Sequence, residues 1–276
     1  MAIPIILDTD IGDDVDDAYC LTLAARWADV DLVAVTCCWR GTLLRAKLAK
    51  KLLDDIGASD VPVYASNHLI HRSPQLDWAA DYPYEPPSET AAEAIVRLAN
   101  ERPGELTLVT IGPLDNLRKA VELDPHLGKK LKRVVSMVGR VGPNPDNPEL
   151  EYNARCDPTG TRTLFNLGTE LIVGNFDVTS RARLTDPWMS RLKQAGKPWT
   201  DNLVKLTELW GHGVPVLYDP MALSLLTNPF CQLEPARIQV DEEGRTIPVE
   251  GEPNCLMTAD ANVEGFLDWL VKTISE

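Results

Sequence analysis

Short apolar runs alternate along this chain with longer amphipathic stretches. Runs that are apolar on both faces are typical of parallel strands, and the stretches between them show the spacing of helices. The predicted strands are residues 3–7, 32–36, 106–111, 134–138 and 171–173. The predicted helical segments are residues 18–27, 43–56, 89–100, 115–123, 159–167, 203–210 and 263–275. Because strands and helices alternate, we predict the α/β class, with a mostly parallel central β-sheet flanked by helices.

Length and composition narrow this picture to one ordinary globular unit. The chain has 276 residues, too few for two full-sized domains with a linker, so we predict a single domain over residues 1–276. Hydrophobic residues make up 44% and charged residues 25%, which is ordinary globular usage and argues against disorder. The net charge of -14 argues against nucleic acid and anionic membrane as partners, since both need a basic surface.

The cysteines and the first residues bear on the cellular compartment. The six cysteines form no C-x-x-C pair and no spacing typical of zinc, so we expect reduced thiols. The chain runs directly into its first apolar run, without the basic segment and cleavable apolar stretch of a secretion signal. No apolar run approaches the roughly 20 residues that a membrane helix needs. We therefore predict a cytoplasmic protein.

The strongest chemical signal is a cluster of aspartates between the first predicted strand and the first predicted helix. In open α/β sheets ligands bind at the carboxyl ends of the strands, and clustered carboxylates there suit a hard divalent cation, Ca²⁺ or Mg²⁺. Gly12 allows the sharp turn that would aim several carboxylates inward. Helix capping is the alternative explanation, but it accounts for one or two aspartates and not for six. The six are Asp8, Asp10, Asp13, Asp14, Asp16 and Asp17.

Five motifs in order along the chain resemble those of the inosine-uridine-preferring nucleoside hydrolases. The aspartate cluster is similar to the family's N-terminal D-T-D-I-G-x-D-x-D-D-A signature. The others are residues 111–116 for the family's G-P-L-T-N turn, 137–139 for M-G-G, 151–153 for E-F-N followed by Asp157 and Pro158, and 218–220 for H-D-P. The resemblance covers nearly the whole chain. It implies an enzyme that hydrolyses the N-glycosidic bond of a ribonucleoside.

The resemblance also implies a role for each matching residue. A single Ca²⁺ would be held by Asp10, Asp17, the backbone carbonyl of Ile111 and Asp219, which leaves room for ribose hydroxyls and a water. Asp10 would also be the catalytic general base. The substrate-binding residues would be Asp16, Asn144, Glu151, Asn153, Met137 and Tyr218, with Asn144 matched to the 5′-hydroxyl and Met137 to the side of the sugar. A deoxy sugar would leave such polar groups unpaired, so selectivity for ribose is expected.

Two positions depart from the family pattern, both on the side of the leaving base. Tyr218 replaces the histidine of H-D-P that is implicated in protonating the base in some members, and Arg40 or Gly41 stands where the family has an asparagine. A tyrosine, with its ordinary pKa near ~10, is a poor acid at neutral pH. The sequence therefore predicts the ribose chemistry and leaves the base preference open. Other groups that could face the base are His212, Arg40, Trp39, Trp78 and Trp210.

Two other functions compete with this prediction. A haloacid dehalogenase-like phosphatase also begins with a strand and D-x-D, with Asp8 as nucleophile and Asp10 as acid, but its later motifs are not found. A non-catalytic ribosyl- or nucleoside-binding protein would fit the loss of the histidine at Tyr218, whereas retention of Asp10 argues against it. The resemblance further implies a homodimer or homotetramer. Residues 73–87, rich in proline and aromatic residues, are expected to close over the substrate.

Overall fold

The computed structural model describes residues 2–66, 69–142, 150–227 and 230–276, in which a large β-sheet lies between layers of helices. The strands are β1 (Ile3–Thr9), β2 (Val30–Cys37), β3 (Val63–Tyr64), β4 (Thr107–Thr110), β5 (Arg133–Met137), β6 (Glu170–Gly174), β7 (Cys231–Ala236), β8 (Ile238–Val240), β9 (Thr246–Pro248) and β10 (Cys255–Ala261). The helices are α1 (Asp16–Arg26), α2 (Thr42–Ile56), α3 (Pro74–Trp78), α4 (Ala91–Glu101), α5 (Asp115–Leu123), α6 (Leu127–Lys130), α7 (Tyr152–Cys156), α8 (Pro158–Phe165), α9 (Phe176–Thr179), α10 (Trp188–Ala195), α11 (Pro198–Trp210), α12 (Tyr218–Ser224) and α13 (Val263–Ser275).

The elements expected from the apolar pattern are present. The five predicted strands correspond to β1, β2, β4, β5 and β6, and each predicted helical segment coincides with an observed helix. The prediction missed the short β3 and the strands after residue 230. Both β7 and β9 contain a proline, and most of their side chains are at least partly exposed. Proline is tolerated at sheet edges but weakens a strand pattern, so the apolar signal there is too faint to read.

The main sheet has eight strands in the order β3-β2-β1-β4-β5-β6-β10-β7. All neighbouring pairs are parallel except β10 with β7, which confirms a mostly parallel sheet in a single α/β domain. From β1 the chain winds outward through β2 and β3, and then returns to build β4, β5 and β6 on the other side of β1. Ligands of such sheets bind where the winding direction reverses, at the carboxyl ends of the strands. This point lies between β1 and β4.

The sheet is buried on both faces because the middle positions of its central strands are apolar. In β1, Ile5 and Leu7 pack with the helices on one face, whereas Ile6 packs on the other, as the alternation of side chains along a strand requires. All three side chains are fully buried. Full burial of one such side chain contributes about 1.5–3 kcal/mol relative to exposure. This two-sided core fixes the carboxyl ends of β1, β4 and β5 relative to one another.

Two further observations concern the cysteines and the length of the helices. All six cysteines are free thiols, as the sequence analysis predicts. Within the described ranges, no helix is long and apolar enough to cross a membrane.

Candidate active site

The aspartate cluster forms a tight connection between β1 and α1, which we call the Asp loop (residues 8–17). Gly12 adopts a φ of +109°, and a Cβ at this position would lie 2.4 Å from Leu76, so only glycine fits the turn. Thr9 ties the two ends of the loop together: its hydroxyl donates to Asp17 at 2.5 Å and accepts from the Ile11 amide at 3.0 Å. The turn expected at Gly12 is therefore the feature that brings the carboxylates together at the end of β1.

Three carboxylates lie close enough to share one ion. Oxygen atoms of Asp16, Asp17 and Asp219 all lie within 4.8 Å of one another, and we call these residues the carboxylate triad. Asp16 and Asp17 begin α1, and Asp219 lies at the start of α12. The backbone amide of Asp219 donates to the carboxylate of Asp16 at 3.0 Å. The three residues are only 2%, 3% and 4% exposed. The triad thus joins the Asp loop to an element about two hundred residues later in the chain.

The electrostatics of the triad favour a bound cation. Burial, followed by mutual repulsion among the aspartates, raises the pKa of Asp16, Asp17 and Asp219 well above the ordinary value. No salt bridge within the described residues involves any of the three. Like charges so close together are stable only when they are protonated or share a cation. Carboxylate oxygens are the ligands that hard divalent cations prefer, so these residues fit a Ca²⁺ or Mg²⁺ ion.

Asp10 lies beside the triad, directly after the carboxyl end of β1 and near that of β4. It is 5% exposed, and burial raises its pKa to about 7, although the nearby Arg45 guanidinium opposes this shift. Its Oδ1 approaches Gly112 so closely that a Cβ on the glycine would lie 2.6 Å from it. The glycine of the G-P-L-D-N turn is therefore required for the carboxylate of Asp10 to occupy this position. A carboxyl group that titrates near neutral pH is suited to accept a proton.

Ile111, the residue after β4, lines the same cavity, and its backbone carbonyl accepts a hydrogen bond. The side-chain amide of Asn153 donates to this carbonyl and to that of Met137, both at 3.0 Å. Asn153 thereby joins the ends of β4 and β5. Glu151 caps α7: its carboxylate accepts from the backbone amides of Gly139 at 2.8 Å, Asn153 at 2.8 Å and Ala154 at 2.9 Å. Burial raises the pKa of Glu151, and these amides oppose the shift.

One cavity of about 470 Å³ is lined by nearly all the residues to which the family resemblance assigns a metal-binding, catalytic or substrate-binding role. Its volume lies in the range of small-molecule sites. Asn144, the residue matched to the 5′-hydroxyl, lies outside the described residues. The predicted residues that line the cavity are Asp10, Asp16, Asp17, Ile111, Met137, Glu151, Asn153, Tyr218 and Asp219.

An aromatic wall forms another side of the cavity. Phe176 and Tyr218 stack with ring centroids 5.5 Å apart at an interplanar angle of 20°, and the Arg140 guanidinium lies 5.0 Å from the centroid of Phe176. Burial, with the charges of Asp16 and Asp14, raises the pKa of Tyr218 to about 12. Tyr218 is therefore an even weaker acid than a free tyrosine. Tyr152 and Trp210 also line the cavity.

Only one of the proposed base-facing alternatives reaches this cavity. Trp210 lines it, whereas His212, Arg40, Trp39 and Trp78 are not among its lining residues in the described part of the chain. His212 packs edge-on against Trp210 at 5.1 Å. Arg40 lies over the Trp39 ring at 5.1 Å, and Lys51 lies over Trp78 at 4.6 Å.

The segment of residues 73–87, expected to close over the substrate, packs against the Asp loop. Its helix α3 packs beneath the Asp loop, where the Ser73 hydroxyl donates to the carbonyl of Gly12 at 2.5 Å and the Gln75 amide donates to that of Asp13 at 3.1 Å. None of its residues lines the cavity. Proline and aromatic content is common to loops that pack and loops that close, so closure over a substrate stays a prediction.

Sequence reasoning also missed residues of this site. Phe176 and Arg140 follow β6 and β5, at the same sheet edge as the Asp loop, and position after a strand is the signal that could have found them. Arg45 lies under the Asp loop and interrupts the buried stripe of α2, otherwise occupied by small and apolar residues and Thr42. A charged residue in a buried helical stripe is rare without a bonded role, so this pattern was a usable signal.

Comparisons with known proteins are consistent with the geometry of this site. A family model described as inosine-uridine preferring nucleoside hydrolase matches residues 5–268. A pyrimidine-specific ribonucleoside hydrolase, RihA, of Enterobacter sp. (strain 638) is 28% identical over 313 aligned positions that cover 100% of this chain and 99% of the relative. Among solved structures, a plant nucleoside hydrolase superposes with a TM-score of 0.89 at 22% identity, covering 100% of this chain and 99% of that one. The purine-preferring ribonucleoside hydrolase from Gardnerella vaginalis superposes with a TM-score of 0.83 at 23% identity, covering 99% and 98%.

The structural matches define the fold as that of nucleoside hydrolases, an α/β enzyme fold with its site at the carboxyl edge of the sheet. Because the family model spans nearly the whole chain, the protein belongs to the inosine-uridine preferring nucleoside hydrolase family. It is thus an N-ribohydrolase of a metal-dependent family, as the sequence analysis predicts. The competing phosphatase and binding-protein hypotheses are not favoured. The phosphatase would need Asp8 as nucleophile, but Asp8 is fully buried and does not line the cavity.

Proposed function

We propose that the protein is a Ca²⁺-dependent ribonucleoside hydrolase, in which Asp10 is the general base that activates the attacking water. The observation that carries this proposal is the convergence of Asp10, the carboxylate triad and the Ile111 carbonyl on one cavity. One side of the cavity thereby offers a general base, oxygen atoms that can ligate a metal ion, and polar groups that can bind a sugar. Another side offers an aromatic wall.

The ligand set of the proposed ion consists of Asp10, Asp17, Asp219 and the carbonyl of Ile111. Asp16 lies within the same triad and is available either to the ion or to a ribose hydroxyl. When bound, Ca²⁺ would lower the pKa of a water and hold vicinal hydroxyls of the sugar. The six to eight oxygens that Ca²⁺ accepts leave places for these groups. Hard oxygen ligands suit both Ca²⁺ and Mg²⁺, so the ligand set does not distinguish the two ions. Ca²⁺ is proposed because the family that the chain resembles uses it.

The chemical step follows from the position and the pKa of Asp10. Its carboxylate accepts the proton of the water as the oxygen of the water forms a bond to the anomeric carbon, and the bond from that carbon to the base nitrogen breaks. The electron pair of that bond leaves with the base, which must then be protonated. Cleavage of a glycosidic bond passes through an oxocarbenium-like transition state, whose positive charge the surrounding carboxylates stabilise more strongly than they stabilise the neutral substrate.

The sugar would be held by Asp16, Asn153, Glu151 and Met137. Both oxygens of Glu151 already accept backbone amides, so this carboxylate is fixed in place and can accept a sugar hydroxyl only through its remaining lone pairs. The amide nitrogen of Asn153 is committed to two carbonyls, which leaves its side-chain oxygen as the group that meets a hydroxyl. Acceptors of this kind select ribose over a deoxy sugar, because a missing hydroxyl leaves them unpaired.

The base would lie against the aromatic wall of Phe176 and Tyr218, with Trp210 and Tyr152 nearby. Stacking of a base on an aromatic ring contributes on the order of 1–3 kcal/mol and tolerates different bases. Relatives named for pyrimidine specificity and a structural neighbour named for purine preference share this fold, so the fold itself does not select the base. With Tyr218 a weak acid, the proton for the leaving base would come from solvent, and stacking on the aromatic wall would raise the basicity of the base enough to accept it. The homo-oligomeric state and the cytoplasmic location stay predictions from the sequence.

The experiment that tests this proposal measures release of p-nitrophenol from p-nitrophenyl ribofuranoside, a substrate whose leaving group needs no protonation. Purified protein is assayed with EDTA and after addition of Ca²⁺ or Mg²⁺, beside an Asp10→Ala variant and a panel of natural ribonucleosides and deoxyribonucleosides. We expect cleavage that requires the metal, is faster with Ca²⁺ than with Mg²⁺, and falls by at least about a thousandfold in Asp10→Ala.

The controls separate loss of chemistry from loss of fold. Asp10→Asn keeps the size of the side chain but removes its negative charge, and with it both its basicity and its strength as a metal ligand, so it should fail in the same way without unfolding at a lower temperature. Activity on the activated substrate without activity on any nucleoside would place the defect in leaving-group protonation. A folded, metal-loaded wild-type protein that cleaves neither kind of substrate would refute the proposal.

A further inference from the structure

A buried arginine lies directly beneath the Asp loop. Arg45, on α2, has no exposed surface, and among the described residues it is the largest fully buried side chain by volume. Its guanidinium donates to the carbonyl of Asp10 and, at 2.9 Å, to that of Ile11, and it meets the Asp13 carboxylate at 2.8 Å. Its Nε donates to the carbonyl of Arg40 at 2.6 Å. A buried charge is retained only where it is fully bonded, and here all of its partners belong to the Asp loop or to the turn before α2.

Two side chains at the start of α3 extend this support along the loop. Ser73 donates to the carbonyl of Gly12, and Gln75 donates to the carbonyls of Asp13 at 3.1 Å and Asp14 at 3.4 Å. Every carbonyl from residue 10 to residue 14 therefore accepts from a side chain. We call Arg45, Ser73 and Gln75 the support layer. The carbonyls are committed to this layer, whereas the aspartates of the same loop other than Asp8 line the cavity.

The metal-free protein needs such support more than the metal-bound protein does. Without a cation, Asp10 and the carboxylate triad repel one another, and burial disfavours their charge. An unsupported loop would relieve the repulsion by turning carboxylates toward water. Arg45 opposes this in two ways: its hydrogen bonds fix the backbone of Asp10 and Ile11, and its positive charge attracts the neighbouring carboxylates.

We propose that Arg45 is a positioning residue that holds the Asp loop in its metal-binding form before the metal is bound. The inference rests on the function proposed above, since it concerns the same site. Arg45 does not line the cavity, so it would act through Asp10 and not on the substrate. The fork of the guanidinium is essential to this role, because it serves three carbonyls and a carboxylate at fixed angles, which the single ammonium group of a lysine cannot do.

A positioning role and a purely electrostatic role predict opposite changes in metal affinity. If Arg45 acted only as a nearby positive charge, its replacement by methionine would leave a more negative site, and Ca²⁺ would bind more tightly. Arg45→Lys would then resemble the wild type, because the charge is kept. If Arg45 positions the loop, both variants must reorder it on binding, and both lose affinity.

The test measures Ca²⁺ affinity by isothermal titration calorimetry for the wild type, Arg45→Lys, Arg45→Met and a control, Arg133→Lys. Arg133 begins β5 at the opposite edge of the sheet, where its guanidinium donates to the carbonyl of Leu226 at 2.7 Å. We expect Arg45→Lys to bind Ca²⁺ roughly tenfold more weakly, Arg45→Met more weakly still, and Arg133→Lys like the wild type. Hydrogen exchange in EDTA should be faster in the Asp loop of both Arg45 variants and unchanged in the strands.

A third measurement distinguishes positioning from general damage to the fold. Cleavage of p-nitrophenyl ribofuranoside by Arg45→Lys should recover toward the wild-type kcat as Ca²⁺ is raised, because bound metal restores the loop. Equal or tighter Ca²⁺ binding in both Arg45 variants would overturn this inference while leaving the hydrolase proposal intact. So would faster exchange throughout the sheet of Arg45→Lys, or a loss of kcat that excess Ca²⁺ does not restore. A wild type that binds no Ca²⁺ would instead overturn the metal assignment, and this inference with it.

Discussion

Gly112→Ala tests whether the close approach of the G-P-L-D-N turn to Asp10 is required for activity. A Cβ at residue 112 would lie 2.6 Å from Asp10 Oδ1, 2.6 Å from Cys38 Sγ and 2.9 Å from the Asp10 backbone nitrogen. Ordinary contact begins at 3.4 Å, so the neighbours must retreat by nearly an ångström. Neither neighbour can do so easily, because Asp10 is only 5% exposed and Cys38 is fully buried.

The magnitude follows from these contacts. Extra atoms in a well-packed region cost about 1–3 kcal/mol, which for a chain of this size lowers the unfolding temperature by roughly 3–10 °C. Displacement of a catalytic group by about 1 Å costs on the order of a hundredfold in rate. We therefore expect kcat for p-nitrophenyl ribofuranoside to fall about a hundredfold in Gly112→Ala, at a temperature where the variant remains folded. Initial rates at saturating Ca²⁺ and a thermal unfolding curve measure both quantities.

Gly128→Ala provides the matched control. Gly128 lies on α6 and does not line the cavity. A Cβ on Gly128 would lie 2.2 Å from the carbonyl oxygen of Leu167. This variant should lose a comparable amount of stability and keep its kcat. If both variants lose activity in proportion to stability, or if Gly112→Ala keeps full activity, the reasoning about Asp10 is refuted.

Three further predictions concern the charges and rings of the site. The pKa of Asp8 is raised to about 7, so in the metal-free protein the stability contributed by its neutral form is lost as pH rises from about 4 to about 7. Asp8→Asn, which stays neutral, should match the wild type near pH 4 and be more stable by on the order of a few kcal/mol above pH 7; equal unfolding temperatures at pH 8 would contradict this. Ca²⁺ at a hundred times its Kd should raise the free energy of unfolding by about 2.7 kcal/mol, and Asp219→Asn should lose most of this shift in thermal melts; an undiminished shift would remove Asp219 from the ligand set. Tyr218→Phe keeps the ring that stacks on Phe176 and should change kcat/KM for nucleosides by less than about threefold, since a hydroxyl with a pKa of about 12 is a poor acid. A hundredfold loss on nucleosides with unchanged p-nitrophenyl ribofuranoside cleavage would identify Tyr218 as the acid after all.

The glycine and aspartate positions show how much of the site could be anticipated. Gly12 was predicted to make the sharp turn, and its φ of +109° confirms it, because local backbone geometry depends on local sequence. That Asp17 lies beside Asp219 could be expected only from the family resemblance, since the two residues are far apart in the chain, and the resemblance had assigned Asp16 to the ribose and not to this group. The packing of residues 73–87 against the Asp loop could not be anticipated from local sequence. Their composition indicated a loop, and whether a loop covers a cavity or packs beneath another segment depends on what surrounds it.

The sequence by itself determined the class of fold, the strands and helices of its main layers, the acidic character of the first loop, and, through ordered motifs, the family. These properties follow from residue type, spacing and order along the chain, so they can be predicted without knowledge of the tertiary structure. Only the tertiary structure decided that Glu151 is held by three backbone amides, that Phe176 and Tyr218 form one wall, and that Arg45 lies under the Asp loop. Such contacts join residues distant in sequence, and their existence depends on the packing of the two-sided sheet, which no local pattern encodes.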